Sequence, residues 1–202
     1  NNLRNKKITF LGDSITFGRN GANDTYEVDK PYPTIISEKT GCISTNMGIC
    51  GSTIGGDQTI IDGKLNGYRP INERIKDVNA DSDYLIIFAG TNDFGSGDAQ
   101  VELGTMDDEP SHLTVYASLK KIFNYYYDNF NTTKIGFVLP LQRTTMNANN
   151  SFGHKLKEYI NAIKEVCELY SIPYLDLYNG GGCYPLNENW KKLFFLSNSK
   201  LD

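Results

Sequence analysis

Five short apolar runs, each separated from the next by an amphipathic or turn-forming stretch, constrain the fold of this chain more than any other feature. They are Lys7–Leu11 (KITFL), Cys42–Met47 (CISTNM), Tyr84–Ala89 (YLIIFA), Lys134–Leu139 (KIGFVL) and Tyr174–Leu177 (YLDL). Continuous apolar runs, as opposed to alternating ones, suit strands buried on both faces, which is the condition of a parallel sheet. The second run is the most polar and the weakest of the five.

The gaps read as helices. Leu156, Tyr159, Ile160, Ile163, Val166, Cys167 and Tyr170 recur at helical intervals and form a sustained stripe. Ser111, preceded by Pro110, is expected to cap a helix over His112–Phe130. Shorter helices are expected over Pro33–Lys39, ended by Gly41, and over Ile71–Val78. Strand and helix thus alternate through the whole chain. That order predicts an α/β fold: a three-layer α/β/α, flavodoxin-like domain with a five-stranded parallel sheet, one unit over residues 1–202.

Composition narrows the function classes. Twenty basic against 24 acidic residues leave a net charge of −4 with no basic block, which argues against nucleic acid as a partner. No apolar run reaches the roughly 18–20 residues that span a bilayer, so no integral membrane segment is expected. Cys42, Cys50, Cys167 and Cys183 show neither a C-x-x-C pair nor metal-ligand spacing and read as free thiols packed as small apolar groups. The segment Gly95–Pro110 carries five acids and no base. It reads as a solvated loop, with a lid or rim over a site as the alternative.

Chemistry concentrates where the first three strands end, which is where open parallel sheets bind ligands. Gly12-Asp13-Ser14-Ile15 places a serine hydroxyl in a turn beside a glycine. Asn46 to Thr53 (NMGICGST) supplies glycines, and Gly90-Thr91-Asn92-Asp93 supplies a side-chain amide. A nucleophile needs an uncrowded Oγ, and an oxyanion hole needs preorganised donors such as a glycine N–H and an asparagine amide. Ser52, beside Gly51, is a decoy hydroxyl. Arg143 follows the fourth strand and reads as an exposed structural arginine, with an anionic substrate group as its alternative partner.

These three blocks, in this order and at these strand exits, resemble the SGNH/GDSL hydrolases, a family of serine esterases and acylhydrolases. The first block runs Phe10-Leu11-Gly12-Asp13-Ser14-Ile15-Thr16-Phe17-Gly18, and the likeness spans nearly the whole chain. The resemblance implies Ser14 as nucleophile, with the Ser14 N–H, the Gly51 N–H and the Asn92 amide holding the oxyanion. Asp13 would fix the turn without transferring a proton. No metal or organic cofactor is implied.

The family's last block is an Asp-x-x-His pair, and here the chain departs from it. His154 has no acid three residues ahead, and His112, near a helix start beside the acidic loop, is likewise outside any Asp-x-x-His pair; each reads as a surface or capping histidine. Asp202 matches the aspartate, so the polypeptide is expected to continue, with histidine as the third residue after Asp202 and then a further helix. The expected substrate is a small-molecule or carbohydrate ester with a short acyl group, such as acetyl on a polar alcohol. Lysophospholipase or thioesterase activity in the same family, and a non-catalytic flavodoxin-like or glycan-binding module, stay open. Compartment and oligomeric state carry no signature in the sequence.

Overall fold

A computed structural model describes residues 2–19, 30–57, 60–61, 64–65, 69–95 and 100–194. In chain order the elements are β1 (Lys7–Gly12), α1 (Ser14–Phe17), α2 (Tyr32–Thr40), β2 (Ile43–Gly48), β3 (Ile60–Ile61), β4 (Lys64–Leu65), α3 (Ile71–Arg74), β5 (Tyr84–Phe88), α4 (Thr91–Gly95), α5 (Val115–Asn129), β6 (Lys134–Val138), α6 (Leu156–Leu169), β7 (Tyr174–Leu175), α7 (Leu177–Gly180) and α8 (Glu188–Phe194). The five expected strands form one sheet in the order β2-β1-β5-β6-β7, every pair parallel. β3 and β4 pair antiparallel as a separate ladder.

Alternation along each strand divides the sheet into two faces. Leu11, Leu85, Ile87, Ile135 and Phe137 share one buried cluster with Ile122 and Phe123 of α5 and Ile160, Ile163 and Val166 of α6. The Phe123 and Phe137 rings meet edge-on at 6.4 Å. Ile8 and Phe10 point to the other face, where Tyr32 and Ile36 of α2 pack on them. Farther along this second face, Ile86, Val138 and Leu175 line an apolar cavity of about 770 Å³ that reaches Ile15.

Several elements differ in extent from the sequence reading, each for a local reason. The α5 helix starts at Val115 rather than His112, because Thr114 and not Ser111 accepts from the Ala117 N–H. Thr114 itself is held by Asp108, at 2.6 Å. The Ile71–Val78 helix is α-helical only to Arg74 and tightens to a 3₁₀ turn over Ile75–Asp77. β7 stops at Leu175 because Asp176 turns its carboxylate onto the Asn179 N–H and caps α7.

The acidic segment is packed down where it is described. Val101 and Leu103 are core residues, the Val101 N–H donates to the Asp93 carbonyl, and Glu102 and Leu103 accept from Val115 and Tyr116. Residues 96–99 of that segment lie outside the described residues. Cys42 and Cys167 are unbridged and buried, as small apolar groups would be. Among the described residues no helix is long and apolar enough to cross a membrane.

The end of β2 depends on a missing side chain. A Cβ on Gly48 would run into the backbone nitrogen of Phe17 and come within 2.7 Å of the Thr16 carbonyl carbon. Those atoms are backbone and cannot swing aside. Gly48→Ala should therefore destabilise the domain by roughly 3 kcal/mol, lowering Tm by about 6–12 °C at this size. Gly180→Ala, where the added carbon meets nothing within 4 Å, should stay within about 0.5 kcal/mol of the parent. Thermal melts of the two variants by circular dichroism check the contrast.

Candidate active site

The sheet register brings three strand ends to one level. Gly12 pairs with Gly48 on one side and with Phe88 on the other, so the loops that follow all leave from the same edge. Ser14 opens the one-turn helix α1 there. Asp13 caps that helix, its Oδ1 accepting the Ile15 N–H at 2.8 Å. The cap holds Ser14 on the first helical position, where a backbone N–H has no partner within the helix. Ser14 is largely buried at 8% exposure, and no hydrogen bond ties its hydroxyl to a described residue.

Gly51 follows three residues after β2, with a φ of +77° that a residue bearing Cβ adopts only under strain. Asn92, buried in the first turn of α4, donates from Nδ2 to the Ser52 carbonyl at 2.9 Å. One amide hydrogen is thereby fixed, which orients the whole group and leaves the second hydrogen for another acceptor. Asn92 and the Gly51-Ser52 turn are thus joined directly. Ser52 is no nucleophile: it is fully buried, and its hydroxyl donates to the Arg69 carbonyl at 2.6 Å.

Three residues that the motif reading did not single out hold this edge together. Asn46 donates from Nδ2 to the Thr16 carbonyl at 2.8 Å and accepts the Gly48 N–H at 2.9 Å, tying β2 to α1. Asp93 accepts the Ile54 N–H with both oxygens and the Gly55 N–H at 3.1 Å, pinning the far end of the Gly51 loop. Arg74 lies buried between β1 and that loop. Apart from the Asn46–Gly48 contact, these partners sit 22 to 62 positions away in sequence, and a local pattern carries no trace of them.

Arg143 corrects the sequence reading. It is buried and not exposed; its Nη1 donates to the Thr91 carbonyl at 3.0 Å, and its guanidinium lies over the Phe94 ring at 5.9 Å. Its place is to brace α4, which carries Asn92. His154 lies one residue ahead of the α6 N-cap Lys155 and bonds through Nδ1 to the Glu158 carboxylate at 2.8 Å. His112 lines a second, more polar cavity of about 640 Å³ with Gly56, Gln100, Glu102, Asp108 and Thr114. Neither histidine is bonded to Ser14. Asp202 lies outside the described residues. Among the described residues no cluster of His, Cys, Asp and Glu could hold a metal ion.

The family model for the GDSL-like lipase/acylhydrolase family matches residues 10–196. The chain belongs to that family. Solved structures agree in fold. A protein of Lactobacillus plantarum superposes with a TM-score of 0.78 at 23% identity, covering 96% of this chain and 86% of its own. A "possible lipase" of Chitinophaga pinensis DSM 2588 gives 0.61 at 27%, covering 85% and 67%. A carbohydrate acetylesterase family member of Sinorhizobium meliloti gives 0.56 at 17%, covering 85% and 84%. Among curated proteins none matches the chain. As a GDSL-like acylhydrolase the protein is an ester hydrolase with the α/β/α architecture of its relatives.

Two buried carboxylates give this GDSL-like edge a pH signature. Burial pushes Asp13 up to about 7, with the Asp93 charge adding to the rise and the Ile15 N–H and Arg74 opposing it. Burial likewise pushes Asp93 up to about 6 against the pull of the Ile54 and Gly55 N–H groups. Both groups bind a proton more tightly folded than unfolded, where an aspartate titrates near 3.9. Their contribution to stability is complete below about pH 4 and is lost as pH rises to about 7. Tm should therefore increase as pH is lowered from 8 to about 5. Asp13→Asn keeps the acceptor for Ile15 and removes the charge, so it should flatten the upper part of that slope. A series of melts across pH checks both.

Proposed function

We propose that this acylhydrolase cleaves carboxylic esters through an acyl-enzyme on Ser14, with the oxyanion held by the Ser14 and Gly51 N–H groups and the Asn92 side-chain amide. The observation that carries the reading is the convergence of an unbonded serine hydroxyl, capped into place by Asp13, with an asparagine amide fixed on the neighbouring Gly51-Ser52 turn. Attack of Oγ on the ester carbonyl gives a tetrahedral oxyanion. Its collapse expels the alcohol, and water then attacks the acyl-enzyme by the same route in reverse. A base must take the Ser14 proton and return it to the leaving alcohol.

The substrate we favour is a short acyl ester of a polar alcohol such as a sugar. The polar cavity, with Gln100, Glu102, Asp108 and Thr114 on its walls, suits hydroxyl-rich alcohols. The fold shared with a carbohydrate acetylesterase family member is consistent with it. One observation favours a second reading, hydrolysis of longer acyl esters: Ile15, next to Ser14, lines the apolar cavity on the sheet.

Three measurements test these assignments. Ser14→Ala should lower kcat by several orders of magnitude with the melt unchanged within about 0.5 kcal/mol, since it removes the nucleophile and little packing. Full esterase activity in that folded variant sinks the mechanism. Asn92→Ala should cost about 10²–10³ in kcat with a modest change in KM, because an oxyanion donor meets its full partner only in the transition state. On nitrophenyl esters of increasing length, activity should peak at acetyl or butyryl and fall steeply by about eight carbons, the span a short pocket excludes. A maximum at long chains selects the second reading.

A further inference from the structure

Arg74 ends α3 at 2% exposure and is among the largest fully buried side chains of the protein. Its guanidinium reaches three acceptors on two separate segments. Nη1 donates to the Gly12 carbonyl at 3.0 Å and to Ser52 Oγ at 2.9 Å, and Nη2 donates to the Met47 carbonyl. Among the described residues no carboxylate is bonded to it. Burying a cation without a bonded counter-ion is costly, and an apolar side chain would fill the same space without that cost. The acceptors explain what the charge is used for.

Gly12 immediately precedes Asp13 and Ser14. Met47 and Ser52 bracket the loop that carries Gly51, and the Ser52 carbonyl is the group that orients Asn92. Because the Ser52 hydroxyl spends its proton on Arg69, it can only accept from Arg74, so the direction of that bond is fixed. Asp93 holds the other end of the same loop. The loop from Gly48 to Gly55 is therefore clamped between a buried cation and a buried carboxylate.

We propose that Arg74 is a positioning residue of the active site: its planar fork fixes the spacing between the Ser14 turn and the Gly51 loop, so that the oxyanion donors stand in place before the charge develops. This rests on the assignment of Ser14, Gly51 and Asn92 made above. A lysine ammonium is a compact point charge and cannot reproduce the fork. Preorganised donors act on the transition state, so loosening them lowers kcat with little change in KM.

The test compares the parent with Arg74→Lys and Arg74→Met on nitrophenyl acetate, at a temperature well below the Tm of each. It also follows labelling of Ser14 by a fluorophosphonate. Arg74→Met should lower kcat about 100-fold, with KM within about threefold, and slow Ser14 labelling in parallel. Arg74→Lys, which keeps the charge, should fall between it and the parent. If Arg74→Met fails to fold, Arg74→Lys decides on the same readouts. A folded variant that keeps kcat within twofold, whatever its Tm, makes Arg74 a stabilising brace only and overturns the proposal. Failure of the parent itself to hydrolyse or label at Ser14 would instead reject the site assignment, and the positioning role with it.

Discussion

The pairing of Gly12 with both Gly48 and Phe88 is the constraint on which the rest of the site hangs. Parallel strands in register end together, so the three loops that follow have no choice but to meet above one edge. Two of the three paired residues are glycines, and the space they leave is used. The turn of α1 lies directly against Gly48, while Thr16 and the Phe88 carbonyl close on Gly12. The turn of α1 that carries Ser14 can sit low over the sheet because neither Gly12 nor Gly48 bears a side chain. A bulkier pair would lift α1 and carry the hydroxyl away from Gly51 and Asn92.

The energetic character of the molecule changes at that edge. Along the body of the sheet the interior is Leu, Ile, Val and Phe, held by burial and ring contacts. At the carboxyl edge the buried side chains include the polar groups of Asp13, Asp93, Asn92, Arg74, Arg143 and Ser52. Each carries a desolvation cost that an apolar residue would avoid. What these groups supply instead is direction. Carboxylates that accept backbone N–H groups and guanidiniums that donate to carbonyls fix loops to within hydrogen-bond tolerance, which dispersion contacts do not. Rigid loops matter most where donors must be aimed at a charge that exists only transiently. Stability is concentrated in one part of the fold and geometric definition in another.

This division also explains what was legible in the sequence. The polar run of β2 read weakly because that strand lies at the sheet edge with none of its residues buried. Tyr84–Phe88 and Lys134–Val138 read clearly because they are central strands with nearly continuous apolar runs. The α6 stripe read clearly for the same reason, its spacing being set by one buried face. Ser14, Gly51 and Asn92 could be marked because their neighbours and order resemble a family pattern. Arg74 could not. It sits in a short helix among Ile71 and Ile75, where its neighbours reveal nothing of carbonyls 62 and 27 positions away. Arg143 was misread as exposed for the same reason: its partner, Thr91, is 52 positions distant. The α5 boundary slipped because Thr114 is fixed by Asp108, a contact that competes with the simpler cap at Ser111.

Two cavities lined by described residues differ sharply in character. One begins at Ile15 and is walled by aliphatic and aromatic groups of the open sheet face. The other includes Gly56, beyond the Gly51 loop, and is walled largely by the acidic segment that follows α4. Charge distinguishes the alcohols that suit the second. Hydrogen bonds from Thr114 and Thr105 hold the Asp108 carboxyl below its usual range, so it is ionised at neutral pH, and Glu102 adds a further acid to the same wall. A phosphate-bearing headgroup would meet like charge there, whereas a neutral polyol would find acceptors for its hydroxyl groups. If the leaving alcohol of the proposed reaction occupied that cavity, its acids would disfavour a phosphate-bearing headgroup and suit a neutral, hydroxyl-rich one.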